Sequence, residues 1–255
     1  MSGAAGLGVD VGSTTCKAVA VDGAGRILAW RVEPTHPRIE PQVTRLLGVL
    51  REEAGDAPVG ATGYGRKRVP AGRALTEITC HARGAFARTG AAGLLVDMGG
   101  QDTKVIRMGP AGEVLDFAMN DKCAAGTGRF LEVILARLQV PFAEVAGQAA
   151  RAERAVAVSS TCTVFAESEV ISLVADGAPL EGIVKGLHQA LATRVAALAR
   201  GAVGPGEVFM SGGVALNAAM VGALREALGR PVRVLPEPQL VGALGAALSV
   251  VPGAT

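Results

Sequence analysis

A chain of 255 residues, 49% of them hydrophobic, has room for one large domain or two of about 120 residues, each with its own core. Its 25 basic and 23 acidic side chains are interspersed and leave a formal charge of +2, which argues against a nucleic-acid stripe or a polybasic membrane anchor. An aromatic content of 3% also argues against base stacking.

The first residues carry no basic run and lead straight into an Asp-bearing strand, so no secretory signal is expected and the chain reads as cytoplasmic. The most apolar stretches, 208–224 and 239–255, are broken by Gly, Ser, Asn or Pro and fall short of the ~20 residues of a membrane span. In that setting Cys16, Cys80, Cys123 and Cys162, which form no CxxC pair, are expected as thiols or ligands rather than disulfides.

In chain order, an apolar strand over 7–11 ends at Asp10-Val11, turns through Gly12-Ser13-Thr14-Thr15 and returns over 16–21. A third strand over 27–32 follows, then a Pro-punctuated loop over 34–41, a helix over 42–54 and a strand and turn over 59–63. The pattern then repeats. A strand over 93–98 carries Asp97, Gly99-Gly100-Gln101-Asp102 turns, and 103–108 returns. Helical periodicity marks 128–138, 163–175 and 180–199; a late strand over 208–210 ends in Ser211-Gly212-Gly213 before a helix over 215–228, a strand over 232–235 and a helix over 242–250. This duplication predicts an α/β protein of two similar βββαβαβα-type domains flanking a cleft: residues 1–92, with a C-terminal helix near 241–255 packing back, and residues 93–240.

A strand ending in Asp and followed by a Gly/Ser/Thr turn places backbone N–H groups and hydroxyls around an anion, with a carboxylate beside them for hydrated Mg²⁺. Asp10, Gly12, Ser13, Thr14, Thr15 and Lys17 fit that role, and Asp97, Gly99, Gly100, Gln101 and Asp102 form the second copy. Asp10 and Asp97 are the Mg²⁺ candidates, held through water; Gln101 and Asp102 are candidates to orient the attacking water near a γ-phosphate. No GxxxxGK[ST] occurs, so this is no P-loop protein. Cys123, in Asn120-Asp121-Lys122-Cys123-Ala124-Ala125-Gly126-Thr127-Gly128, and Cys162, in Ser159-Ser160-Thr161-Cys162-Thr163, each stand ahead of a helix, where the positive helix end favours a thiolate. Two thiolates are half of what a cubane iron-sulfur cluster takes.

The phosphate turns and Ser211-Gly212-Gly213-Val214 resemble the two-lobed ATPase fold of actin, Hsp70 and the sugar kinases. Within that superfamily, residues 61–66, 97–102, 119–131 and 159–171 resemble the ATP-dependent activators of 2-hydroxyacyl-CoA dehydratases, and the resemblance runs essentially end to end. The ATPase subunits of benzoyl-CoA reductases are similar as well and share both cysteine positions.

The resemblance implies a homodimer with one 4Fe-4S cluster on its axis, held by Cys123 and Cys162 of each copy, ATP/ADP and Mg²⁺ as further cofactors, a dehydratase or reductase component as electron acceptor and a ferredoxin or flavodoxin as donor. Gly126, Thr127 and Gly128 then approach the nucleotide, and Gly212, Gly213, Val214 and Asn217 form the adenosine turn. ATP hydrolysis would change the angle between the cysteine helices and send one low-potential electron to the partner enzyme.

Plainer readings stand beside these. Gly126 and Gly128 also suit an ordinary turn, Glu132 a helix-dipole charge, Glu167 and Glu169 a surface or dimer contact, Cys16 a small strand filler, Cys80-His81 a packed pair, and His36 and His188 surface positions. Arg66 suits a phosphate contact or a plain loop. A small-molecule kinase of the same fold, or an actin-like scaffold, is the rival function; neither gives Cys123 and Cys162 any work.

Overall fold

The computed structural model describes residues 3–159, 162–202 and 204–253. The chain divides into two compact units: Met1–Leu95, Ile106–Asp116 and Leu235–Thr255 form one, and Val96–Val105 with Phe117–Val234 form the other.

The first sheet has the order β3-β2-β1-β4-β5, from β1 (Gly6–Val11), β2 (Thr15–Val21), β3 (Ile27–Pro34), β4 (Val59–Thr62) and β5 (Arg73–Ala74). β1 runs antiparallel to β2 and parallel to β4. Every residue of β1 is buried, because both faces of the strand are covered. On one face α1 (Ile39–Ala54) lays Val43, Leu46, Leu47 and Leu50 against Leu7, Val9 and Val11; each fully buried leucine contributes roughly 2 kcal/mol.

On the other face lies α8 (Val241–Leu248), apolar all round and buried at every residue. It comes close because glycines stand where side chains would collide: a Cβ on Gly8 or Gly60 would run into the α8 backbone at Ala243 or Ala246. α2 (Glu77–Thr89), capped by the Thr76 hydroxyl accepting from the Thr79 N–H at 3.2 Å, packs on α8 through Gly84 against the Val241 carbonyl and Gly245 against the Cys80 carbonyl.

The second sheet has the order β10-β9-β6-β7-β8, from β6 (Gly93–Met98), β7 (Thr103–Met108), β8 (Val114–Asn120), β9 (Glu207–Ser211) and β10 (Val232–Val234). Counted from its other edge this is the order of the first sheet, with β6 in the place of β1. The remaining helices are α3 (Gly128–Arg137), α4 (Val145–Arg151), α5 (Thr163–Ala175), α6 (Leu180–Ala199) and α7 (Ala218–Leu228).

Three details depart from the sequence expectation. α1 starts at Ile39, with Pro41 inside its first turn, where a missing N–H leaves no intrahelical bond unmade. The β4–β5 connection of the first half holds a 3₁₀ turn, Arg66–Arg68, where the repeat predicted an α-helix; Gly63, Gly65 and Pro70 leave too short a run for one. His188, read as a surface residue, is buried on α6. Among the described residues no helix is long and apolar enough to cross a membrane.

Candidate functional site

In the first unit the strand register sets Asp10 opposite Lys17, whose Nζ lies 3.3 Å from Asp10 Oδ2. The turn between them closes with Gly12 N–H donating to the Thr15 carbonyl at 3.1 Å, and Thr35 pins it from beyond β3 by donating its hydroxyl to the Gly12 carbonyl at 2.7 Å. Asp10 is 4% exposed. Its carboxylate lies between two glycines: Gly63, at φ +91°, has no side chain to strike Oδ1, and a Cβ on Gly242 would stand 3.1 Å from Oδ2 and 2.9 Å from His81 Nε2. Gly242 thus leaves room for both the His81 ring and the Asp10 carboxylate. Ser13 is exposed and Thr14 partly so, which leaves both residues accessible at the turn. Arg66 donates to the Gly63 carbonyl at 3.1 Å and so braces this glycine.

The second unit repeats the construction. Gly99 N–H donates to the Asp102 carbonyl at 2.9 Å, closing the turn as Gly12 and Thr15 do. Asp97 is 2% exposed and accepts from the Ser211 hydroxyl at 2.7 Å, which ties the end of β6 to the end of β9. Gly212 follows at φ +86°, where a Cβ would strike the Met98 backbone. The turn also engages the start of α3. Gly128 and Arg129 donate their N–H groups to the carbonyls of Gly99 at 2.9 Å and Gly100 at 2.7 Å, and Thr103 donates its hydroxyl to the Gly126 carbonyl at 2.7 Å. The first N–H groups of α3, which ordinarily need a cap, are thus spent on the turn. Gly126, Thr127 and Gly128 stand beside Gly99 and Gly100 in consequence.

Asn217 uses both ends of its amide. Oδ1 accepts from Ala219 and Met220 N–H at 3.0 and 3.3 Å, capping α7, while Nδ2 lies 2.9 Å from His188 Nε2. His188 Nδ1 lies 2.7 Å from the Val184 carbonyl, so that nitrogen donates and Nε2 accepts, which fixes a neutral ring; burial lowers its pKa.

The four cysteines divide. Cys16 and Cys80 are buried, and burial is the main cause that pushes their thiols up to about 12 and about 11, so both stay protonated and inert. Cys123 is exposed and Cys162 partly so. Cys162 is the N-cap residue immediately before α5, whereas Cys123 stands in a loop ahead of α3, since Gly126 at φ +97° is not helical. Asn120 holds that loop by donating to the carbonyls of Cys123 at 2.9 Å and Ala125 at 2.7 Å.

Glu169, read as a surface or dimer-contact residue, accepts from Ser159 N–H and hydroxyl at 2.8 and 2.9 Å and anchors the segment before Cys162. Ser160 and Thr161 of that segment lie outside the described residues. Arg194 of α6 lies 5.3 Å over the Phe130 ring, and burial lowers its pKa, an effect that the neighbouring Cys123 partly opposes. It lines a hollow of about 270 Å³ with Asn120, Ala125, Gly126, Val195 and Leu198.

Two residues of these sites escaped the sequence reading. Lys104 is 2% exposed and sits 2.5 Å from Asp102 Oδ2 and 3.7 Å from Asp97 Oδ2; its spacing from Asp97 equals that of Lys17 from Asp10, and that was the available signal. Arg194 had no local signal.

Sheets of one topology, each carrying a buried Asp, a closed glycine turn and a lysine, define a duplicated α/β nucleotide-binding fold of the actin and sugar-kinase type. A ROK family glucokinase from Streptomyces griseus shares it at TM-score 0.61 and 16% identity, over 95% of this chain and 97% of that one, a likeness of fold alone.

The chain belongs to the BadF/BadG/BcrA/BcrD ATPase family, whose sequence profile matches residues 7–250. It is 43% identical to the activator of lactoyl-CoA dehydratase from Anaerotignum propionicum, over 95% of each chain. The structure of the activator of 2-hydroxyisocaproyl-CoA dehydratase from Clostridium difficile with bound ADPNP matches at TM-score 0.90 and 39% identity, over 98% of this chain and 95% of that one. One of the benzoyl-CoA reductase subunits of Thauera aromatica is 31% identical over 94% of this chain and 91% of its own length.

Proposed function

We propose that this ATPase activates a 2-hydroxyacyl-CoA dehydratase by passing it single low-potential electrons, as a homodimer that shares one 4Fe-4S cluster between Cys123 and Cys162 of both copies. The observation that carries the reading is the division of the thiols. In a chain 43% identical to a dehydratase activator, only these two of the four are open to solvent, and each precedes a helix.

The donor set fits such a group in kind, because soft thiolates suit iron-sulfur clusters, and falls short in number, which a second copy would make good. Among the described residues no three His, Cys, Asp or Glu side chains gather to hold a metal within one chain. Directly after Cys162, Val164 and Phe165 are each 68% exposed, an apolar surface suited to a second copy beside the thiols. When bound, the cluster supplies one-electron redox chemistry.

The chain's own residues bind and turn over the nucleotide. Asp10 and Asp97 offer buried, hard oxygen donors suited to Mg²⁺ through water. Gly12, Ser13, Thr14 and Thr15 present N–H groups and hydroxyls to phosphate, with Lys17 as the mobile cation. Gly99 and Gly100 form the second turn with Gly126, Thr127 and Gly128 beside it. Gly212, Gly213 and Val214 take the adenosine, and Asn217 fixes that turn through its cap. Gln101 and Asp102 orient the attacking water. The bonds from Gly128 and Arg129 to Gly99 and Gly100 give the second turn a hold on α3, so a shift of the turn displaces the segment that carries Cys123. A ferredoxin or flavodoxin is the electron donor in this reading. The benzoyl-CoA reductase type of partner is the less supported choice at 31% identity, and no observation favours a kinase.

The test is purification without oxygen. The expected protein is a brown dimer with about four irons that hydrolyses ATP and reduces a dehydratase component, and Cys123→Ser or Cys162→Ser loses the iron while still binding ADP. A colourless, iron-free monomer that hydrolyses ATP would end the cluster reading and leave only the ATPase.

A further inference from the structure

The two hairpins share a plan, and one of the positions at which they differ bears directly on their lysines. Lys17 follows Asp10 by seven residues, Lys104 follows Asp97 at the same spacing, and both turns close through the same backbone bond. Where the first turn has Thr15, the second has Asp102. The consequence for the lysines is large. The Lys17 side chain keeps 14% exposure and faces one carboxylate at 3.3 Å, whereas Lys104 keeps 2% and lies 2.5 Å from Asp102 and 3.7 Å from Asp97.

A buried ammonium is tolerated only where charges pair with it, and Asp97 and Asp102 flank this one. Asp102 itself keeps 24% side-chain exposure, so it is the member of the cluster that still meets solvent. Gly99 makes the arrangement fit, since a Cβ there would collide with Asp102 Oδ1.

We propose that Lys104 is a positioning residue for ATP hydrolysis: its buried ammonium clamps the Asp97 and Asp102 carboxylates in fixed relation, so that Asp102 is held in the one orientation from which it accepts a hydrogen bond from the attacking water. In the step so served, the water oxygen bonds to the γ-phosphorus while the bond from phosphorus to the β–γ bridging oxygen breaks. ADP leaves with that electron pair, and the water protons pass to the released phosphate and to solvent. Lys104 does not touch the nucleotide. Lys17, partly open and held by one carboxylate, is the lysine free to exchange that partner for phosphate. The duplication thus yields one phosphate ligand and one internal clamp from the same position. The inference rests on the proposed roles of Asp97 and Asp102 in this ATPase.

The experiment measures steady-state ATP hydrolysis and ADP binding by calorimetry, on full-length protein, for wild type, Lys104→Met, Asp102→Asn, the double variant and Lys17→Met. A misplaced water-orienting carboxylate costs about 100-fold in rate. Lys104→Met is therefore expected to lower kcat by about that factor with ADP affinity unchanged. The double variant is expected to be no slower than Asp102→Asn alone, since the two side chains act as one unit. Lys17→Met is expected to show the opposite split, a raised KM and weakened ADP binding.

Folded Lys104→Met with wild-type kcat, or with ADP binding lost in step with kcat, would overturn the proposal. If Lys104→Met does not fold, the charge-balanced double variant decides: a kcat equal to that of Asp102→Asn supports the clamp, and a further tenfold loss refutes it. Wild-type protein that hydrolyses no ATP would end the nucleotide reading itself, a result distinct from hydrolysis that ignores Lys104.

Discussion

The layer of α2, β1 and α8 and the region of α3 and α5 use the same residue types to opposite ends. In the first, Gly8, Gly60, Gly84 and Gly245 let backbones approach until no side chain fits between them, and Cys80 is sealed in the interior, as Cys16 is on the α1 side of the same sheet. In the second, Gly126 and Gly128 bring a loop onto the β6–β7 turn, Cys123 and Cys162 stay accessible, and α5 leaves Val164, Phe165, Ile171 and Val174 exposed. The type of residue therefore does not set its role. A thiol or a glycine takes its role from whether the chain alone completes its surroundings. The first region is complete within one chain, and the second is built as though something further belongs to it.

The largest effect should come from breaking the first region. In Gly245→Val the new side chain would meet the Cys80 carbonyl and its backbone, which a helix pair this close cannot yield, so a loss above about 4 kcal/mol is expected. Circular dichroism on heating should show no cooperative transition. A variant melting within a few degrees of wild type would mean the glycine contact is looser than its geometry.

Thiol chemistry gives the next contrast. With Cys80 at about 11 and Cys16 at about 12, their thiolate fractions at pH 8 are on the order of one in a thousand and one in ten thousand, and burial shields both. In iron-free native protein, iodoacetamide should alkylate Cys123 and Cys162 at least about a hundredfold faster, as read by peptide mass spectrometry. Equal labelling of all four would erase the division on which the cluster reading depends.

A smaller effect should separate α5 from the fold. Phe165→Asp places a charge on a side chain that is 68% exposed, so the single chain should keep its melting point while the proposed dimer weakens by about a hundredfold. Sedimentation across a concentration series reads this, and an unchanged mass would show that the apolar face of α5 is not where the copies meet.

How much of this could be read in the sequence depended on whether a local pattern carried it. The Asp-Gly turns and the strands at 93–98 and 103–108 were legible, as were α5 and α6, because apolar periodicity fixes their bounds. β8 was implied by the repeat but received no bounds, since most of its residues face outward at the sheet edge and show no alternation; α4 was missed for its brevity. Lys104 reads in isolation as a solvent-facing strand residue, and only comparison with the Lys17 repeat marks it. Arg194 is brought to the Cys123 loop by the packing of α6, which no nearby residue announces. His188 was open to a better reading: it stands four residues after Val184 on the buried stripe of Ile183, Leu187 and Leu191, a place for an internally paired imidazole.

His188 also supplies the smallest prediction, which asks whether the second unit has a completed interior of its own. Protonation would put an N–H at Nε2 against the Asn217 amide donor, so the folded state holds the ring neutral and its pKa lies below the ordinary 6.5. The unfolded chain then takes up the proton first, and stability that is whole above pH 6.5 is lost as pH falls through 6.5 toward the folded value. One such group gives a slope of at most about 1.4 kcal/mol per pH unit. Urea unfolding at pH 7.5 and pH 5.5 should show wild type losing about 1 kcal/mol more than His188→Gln, which has no ring to protonate. Equal losses would mean that Asn217, and with it the cap of α7 behind Gly212 and Gly213, holds its place without the neutral ring.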